Sequence, residues 1–264
     1  MKKINFALLA LLVLSFFACN KNINKAKTND KTGKILLRQQ LKKGDSYTQT
    51  VESTQKILIP SMSMEMPMES KFITNAFVSQ VSPEGNITTE TTYKKIYFKQ
   101  SNPMTGDLIF DSEDSTKQDE PLSNLKDLKT KKVTIVTAPN GKVLSNDDNF
   151  SKQSFSKVNN EFPDTPVAIN DTWERTSEIE NYQIGKMESI NTYKMIDRSN
   201  GIVSLEINGK FMMTGKEIGS QVGTIKIDEK TGLTLESSIT QKLTMNTQGM
   251  DINIESNIKI TTNK

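Results

Sequence analysis

"IVSLEINGKFMM", residues 202–213, puts Val203, Leu205, Ile207, Phe211 and Met213 at one parity, with Gly209 in the gap. Alternate residues of an extended chain point to the same side, so this spacing predicts a strand with one apolar and one wet face. The pattern recurs in Leu233, Leu235, Ile239, Leu243 and Met245, then in Ile252, Ile254, Ile258 and Ile260, with threonine, serine, lysine and glutamate opposite. Strands patterned in this way belong to antiparallel sheets. The turns agree: Asn140-Gly141 and Asn200-Gly201 are hairpin signals, Asp228–Gly232 reads as a longer loop, and Pro83-Glu84-Gly85 closes an earlier hairpin. The expected fold is mainly β, with long antiparallel strands in a curved open sheet or half-barrel and one or two short helices. A β-sandwich is the alternative. The helices are expected as a short turn near Pro121 to Leu128 and a longer element from about Asp147 to Asn160. The longer one has Phe150, Phe155 and Val158 as its apolar positions, Asn146 or Asp147 as cap, and Pro163 and Pro166 beyond it.

The amino terminus reads differently. Met1-Lys2-Lys3 is basic, Ile4 to Phe17 is apolar, and Ala18-Cys19 follows. An apolar run this short falls below the roughly 20 residues that span a bilayer, and it describes a secretory signal, residues 1–18. "LSFFAC" resembles a bacterial lipobox, which implies cleavage before Cys19 and its acylation; a plain signal with an incidental cysteine is the other reading. Two or more acyl chains give stable anchoring. Cys19 is the one cysteine in the chain, so no intrachain disulfide is available. Residues 20–34 are polar and lysine-rich, a tether that reaches on the order of 50 Å when extended. The first charges after Cys19 are Lys21 and Lys25, and the first acid is Asp30. That favours a periplasm-facing outer-membrane lipoprotein with one β-rich domain over 35–264.

Composition narrows the function. The chain has 34 basic and 31 acidic residues, and loss of Lys2 and Lys3 leaves a charge near +1. No basic patch dominates, so nucleic acid is not an expected partner. The count of histidine is zero, which removes serine–histidine and cysteine–histidine pairs and the usual zinc sites. "DSEDSTKQDE" (111–120) lacks the residue order of a calcium loop and reads as a solvated segment. "GKEIGSQVG" (215–223) has the wrong glycine spacing for a phosphate loop. Neither catalysis nor a cofactor is expected.

A weak internal repeat runs along the chain, over 35–145 and 165–264. "KGDSY" (43–47) matches "INDTW" (169–173), Met68-Glu69-Ser70 matches Met187-Glu188-Ser189, and Gly85 matches Gly201. The offset falls from 126 to 119 between the first two pairs, and "SMSMEMP" (61–67) accounts for the seven extra residues. Tyr47 and Trp173 would then be equivalent anchors at strand starts.

The order of parts, "LKKGDSY", "PNGKVLS", "FPDTPVAINDTWE" and "IDEKTGLTLESSITQKLTM", resembles an uncharacterised Bacteroidetes-type lipoprotein family known as a domain of unknown function. The resemblance covers roughly 35–262 and rests on turns and strand starts, so it supplies no site residues. In architecture the chain is also distantly similar to the periplasmic lipoprotein-carrier (localisation factor) fold, which implies a curved sheet around an apolar cavity.

The stripe "PSMSMEMPME" (60–69) supplies the candidate site, with Met62, Met64, Met66 and Met68 at every second position. Methionine suits surfaces that repack around apolar partners. With Phe211 and Met213, the four are the expected ligand-facing residues of a membrane-anchored, non-catalytic module for a lipid or other apolar partner. A structural or interaction lipoprotein with a filled core is the second reading. A Cu(I) site on Met62, Met64 and Met66 is the third, since thioethers are soft ligands. If Cys19 carries the anchor, Cys19→Ala moves the protein from the membrane to the soluble fraction and abolishes palmitate labelling; unchanged fractionation contradicts the anchor.

Overall fold

The computed structural model describes residues 33–147, 161–181, 185–247 and 249–264. The signal, Cys19 and nearly all of the tether lie outside them, as does the helix expected from Asp147 onward apart from Asp147 itself.

Twelve strands form one antiparallel sheet. They are β1 (Ser46–Ile59), β2 (Met64–Val81), β3 (Ile87–Asn102), β4 (Gly106–Asp111), β5 (Lys132–Thr137), β6 (Val143–Asn146), β7 (Thr172–Asn181), β8 (Gly185–Ser199), β9 (Ile202–Met213), β10 (Lys216–Asp228), β11 (Thr234–Thr247) and β12 (Met250–Asn263). The spatial order is β6-β5-β3-β2-β1-β12-β11-β10-β9-β8-β7, with β4 on the remaining part of β3. Two meanders therefore meet where the first strand pairs with the last, and the path ends at β6 and β7 without closing. This is the expected open, curved sheet; the sandwich is not formed. The short helix α1 (Asn124–Thr130) follows a 3-10 turn at Glu120–Leu122, and together they bury Leu122, Leu125 and Leu128.

The inner face carries the apolar parity of every long strand, and most of those side chains are buried. Two close approaches mark the pairing of β10 with β11. A Cβ at Gly219 or Gly223 on β10 would strike the backbone oxygen of Lys242 or Ser238 on β11, so these inward positions tolerate no side chain. Of the glycines in the rejected phosphate-loop reading, Gly219 and Gly223 are thus close-approach residues, while Gly215, at φ 77°, belongs to the β9–β10 turn.

The outer face is wet. Lys71 meets Glu52 at 2.8 Å, Lys226 meets Glu236 at 2.8 Å, and Lys242 meets Glu255 at 3.1 Å, all as direct cross-strand partners. Such exposed pairs add little to stability, but they favour the register and keep this face in water. A membrane-spanning barrel has the reverse polarity, apolar outside and polar within. Among the described residues no helix is long and apolar enough to cross a membrane.

At one end of the sheet the turns are covered by chain. Ile35 pairs with Val167, and the N–H of Gln39 donates to Pro139 O at 2.6 Å. The N–H of Phe162 donates to Asn140 O at 2.7 Å, while Arg175 on β7 donates to Phe162 O at 2.7 Å. This strap ties the β5–β6 turn to the opposite edge strand.

The two halves share local detail. Asp45 accepts from the Lys42 N–H as Asp171 does from Ala168, and the peptides at 44–45 and 170–171 bond Val78 and Met195 in the same way. Register then sets Ser53–Ser70–Phe98 in one half beside Ser177–Ser189–Phe211 in the other. The offset is 126 at the aspartates, 124 at Ser53 and 119 at Ser70, so two of the seven extra residues precede the serine pair and five lie in the hairpin tip.

The methionine stripe is shorter than its spacing suggests. Pro60 opens a 3-10 turn over Pro60–Met62 and Ser63 takes φ 49°, so the extended repeat starts only at Met64. Met62 is 42% exposed, whereas Met64, Met66 and Met68 are buried in the core. Pro67 is tolerated because pairing with β3 begins only at Met68. Replacing Met66 by alanine should cost about 2–5 kcal/mol by urea denaturation. Met62→Ala should stay within about 0.5 kcal/mol; equal losses would contradict this placement.

Candidate functional site

The residues singled out from sequence do not form a ligand-facing lip. Phe211 is buried with Met64, Met66, Met68, Met187 and Met245 in one core cluster, and Met213 packs against it half-buried. Met62 stands apart in solvent. The stripe is core packing at the hairpin-tip end of the sheet, and the proposed Cu(I) set is split between a solvent-facing and two buried sulfurs.

Internal space lies elsewhere. A cleft of about 70 Å³ opens between β1, β2, β3 and β5, lined on its apolar side by Leu41, Tyr47, Val51, Phe72, Tyr93 and Val133. Gln39, Gln49, Thr89 and Thr137 are among its polar lining. Thr137 Oγ1 donates to Gln39 Oε1 at 2.9 Å, which ties the covering segment to β5. Phe72 and Tyr93 meet edge to face at 6.3 Å. Burial pushes the Tyr47 hydroxyl up to about 12, so it stays neutral at physiological pH.

A polar row crosses the apolar inner face, and sequence reasoning did not find it. Direct cross-strand partners run Gln100–Met68–Gln55–Ser256–Gln241–Gln221–Gly209–Asn191–Arg175, from β3 to β7. Gln241 Nε2 donates to Gln221 Oε1 at 2.9 Å, Gln221 Nε2 to Asn191 Oδ1 at 2.5 Å, and Asn191 Nδ2 to Ser189 Oγ at 3.1 Å. The amides thus point their donors one way across four strands, an arrangement in which each bond polarises the next. Gly209 is required for it: a Cβ there would overlap Asn191 Oδ1 and press on Gln221, so the bridge between them passes over the glycine. The signal was present in the sequence as gaps in the alternation at 209, 241 and 256.

The row ends at a charged cluster under the strap. Arg175 lies 3.6 Å from Glu161 Oε1 and 3.8 Å from Asp164 Oδ2. Burial lifts the Glu161 carboxyl above the usual carboxylate range, opposed by Arg175 and Lys142 and reinforced by Asp164. Burial and the nearby Glu161 also raise the Tyr193 hydroxyl, whose ring stacks on Trp173 at 5.5 Å. Trp173 is therefore a packing residue at the start of β7, like Tyr47 on β1. Among the described residues, no group of three or more histidine, cysteine, aspartate or glutamate side chains is placed to hold a metal ion.

Residues 145–234 match a family of unknown function, DUF6263. No curated protein matches the chain. Among solved structures, DynF from the dynemicin biosynthesis pathway of Micromonospora chersina is similar at 7% identity and TM-score 0.25, over 92% of each chain. An outer-membrane channel from Pseudomonas putida F1 is similar at 6% identity and TM-score 0.28, over 90% of this chain and 100% of that one. A DUF1329 family protein from Desulfovibrio piger follows at 10% identity and TM-score 0.18, over 82% and 84%. Scores this low carry no argument about function.

Glu161 gives the cluster a pH signature. Its folded-state affinity for a proton exceeds that of the unfolded chain, so stability falls as pH rises from the ordinary carboxylate value through the raised one. Thermal melts from pH 4 to 7 should show the wild type gaining on Glu161→Gln as pH is lowered. A pH-independent difference, or the opposite trend, would contradict the assignment.

Proposed function

We propose that this protein is an envelope lipoprotein, held by Cys19 at the periplasmic face of the outer membrane, whose β-domain is a non-catalytic binding module. The anchor is supported by the sequence: the basic start, the short apolar run and a lone cysteine after Ala18. The binding reading is carried by one observation, the cleft whose lining combines Val51, Phe72, Tyr93 and Val133 with a few glutamines and threonines. Ligand sites commonly have this make-up, an apolar lining with a small number of placed polar groups.

The size of the cleft limits the ligand. About 70 Å³ is well below the ~300–1,000 Å³ of pockets that enclose drug-sized molecules, so a chain end or a small ring fits rather than a whole lipid. Further room would come from the wall formed by β5, which only β6 separates from the open edge. These are six- and four-residue strands at an open edge, held by few ladder bonds. The filled-core reading is favoured by a separate observation, the close burial of Phe211 beside Met64, Met66 and Met68 at the other end.

The test is titration of the full chain carrying Cys19→Ala with N-phenyl-1-naphthylamine, a fluorescent apolar probe. The expected result is saturable uptake that Ala76→Phe, which fills the cleft, lowers at least tenfold and Met66→Leu leaves unchanged. Loss in Met66→Leu alone would move the site back to the methionines. No saturable uptake by folded wild type would leave the structural reading in place.

A further inference from the structure

We infer that the polar row is a binding site for internal water, a hydrated seam built across the sheet. The row and its immediate neighbours hold buried polar atoms with no hydrogen-bond partner: Gln100 Oε1 and the hydroxyls of Ser53, Ser177 and Ser256. Each of these residues is less than 8% exposed. Ser256 stands in the row between Gln55 and Gln241, and Ser53 is the next inward residue from Gln55. Ser177 is the next from Arg175, facing Ser189 across the β7–β8 ladder.

The chemistry selects the ligand. Backbone N–H and C=O groups in paired central strands are committed to the ladder, so these side chains must find partners outside it. Gln100 Oε1 accepts only, whereas a serine hydroxyl both donates and accepts. The ligand must therefore do both. The amides and hydroxyls carry no charge, and the one charged member, Arg175, lies beside Glu161 and Asp164, which disfavours an ion. The orphaned atoms are shut off from bulk solvent, so the ligand must be a single small molecule held inside the sheet. Water meets every requirement, and buried waters in proteins make about three hydrogen bonds to such groups.

The seam has a consequence for the fold. Toward the hairpin tips it borders the methionine-rich cluster; toward the covered turns, in the second half of the chain, it borders the cluster of Tyr193, Met195, Leu205 and Ile225. In the second half of the chain the inner face is thus two apolar regions separated by a wet line, whereas in the first half one cluster continues past the row, with Val51, Ile258 and Ile260 on one side and Ile57, Ile254 and Ile252 on the other.

Oxygen-17 magnetic relaxation dispersion, which counts waters with long residence times, tests this on the full chain carrying Cys19→Ala. Ser256→Ala and Gln100→Met should each lower the count by one or more, with an unchanged or lower Tm, while Met195→Leu leaves the count as in the parent. Should one variant fail to fold, Ser53→Ala supplies the same reading. An unchanged count in Ser256→Ala and Gln100→Met would overturn the inference. So would a rise in Tm in Ser256→Ala, since removing a dry, unpartnered hydroxyl relieves a cost while removing a hydrated one does not.

Discussion

The pairing of the first strand with the last governs this molecule. Eleven residues of β1, Thr48 to Leu58, face eleven of β12, Asn263 to Asn253. Without that ladder the chain would be two meanders, each with an inner face half exposed. With it, Val51 and Ile57 lie beside Ile260 and Ile254, and the apolar parity of one half continues into the other. The partners are separated by nearly the whole domain, so this contact carries the largest loop-closure cost and is expected to form late.

Everything inward depends on the sheet bending far enough to bury one face. Small residues permit the close approaches within it. Gly219 and Gly223 let β10 press against β11, and Gly209 lets two amides meet above β9. A sheet this long could have been lined with aliphatic side chains throughout. Instead its middle row is rich in glutamine, asparagine and serine, and from Gln241 to Asn191 hydrogen bonds partly offset the cost of burying them. The apolar contribution comes from the two flanking regions, and the charged outer face keeps the sheet in water.

Much of this was legible in the sequence because the side-chain repeat of a strand is two. The parity of Val203, Leu205 and Ile207 fixed which face is buried, and the Asn-Gly and Pro-Glu-Gly signals marked their turns. The methionines were misread in extent, since a period of two says nothing about where a strand starts. Pro60 and the left-handed Ser63 displace Met62 from the stripe. Alternation likewise says that Met64, Met66 and Met68 face inward but not whether they meet a cavity or a neighbour. The polar row was hidden for another reason: each strand shows only a one-residue gap in its apolar pattern, and the gaps align only when the register of nine strands is known.

Cross-linking across the β1–β12 ladder tests the central claim most directly. In a Cys19→Ala background, which has no other thiol, Glu52→Cys with Lys259→Cys places two cysteines on facing outer-face positions. Glu52→Cys with Lys226→Cys separates them by three strands, roughly 14 Å at the usual inter-strand spacing. Mild oxidation of the folded protein should close the first pair within the chain and leave the second open. A folded protein in which the first pair stays reduced, or in which the second closes as readily, would contradict a single sheet joined through its first and last strands.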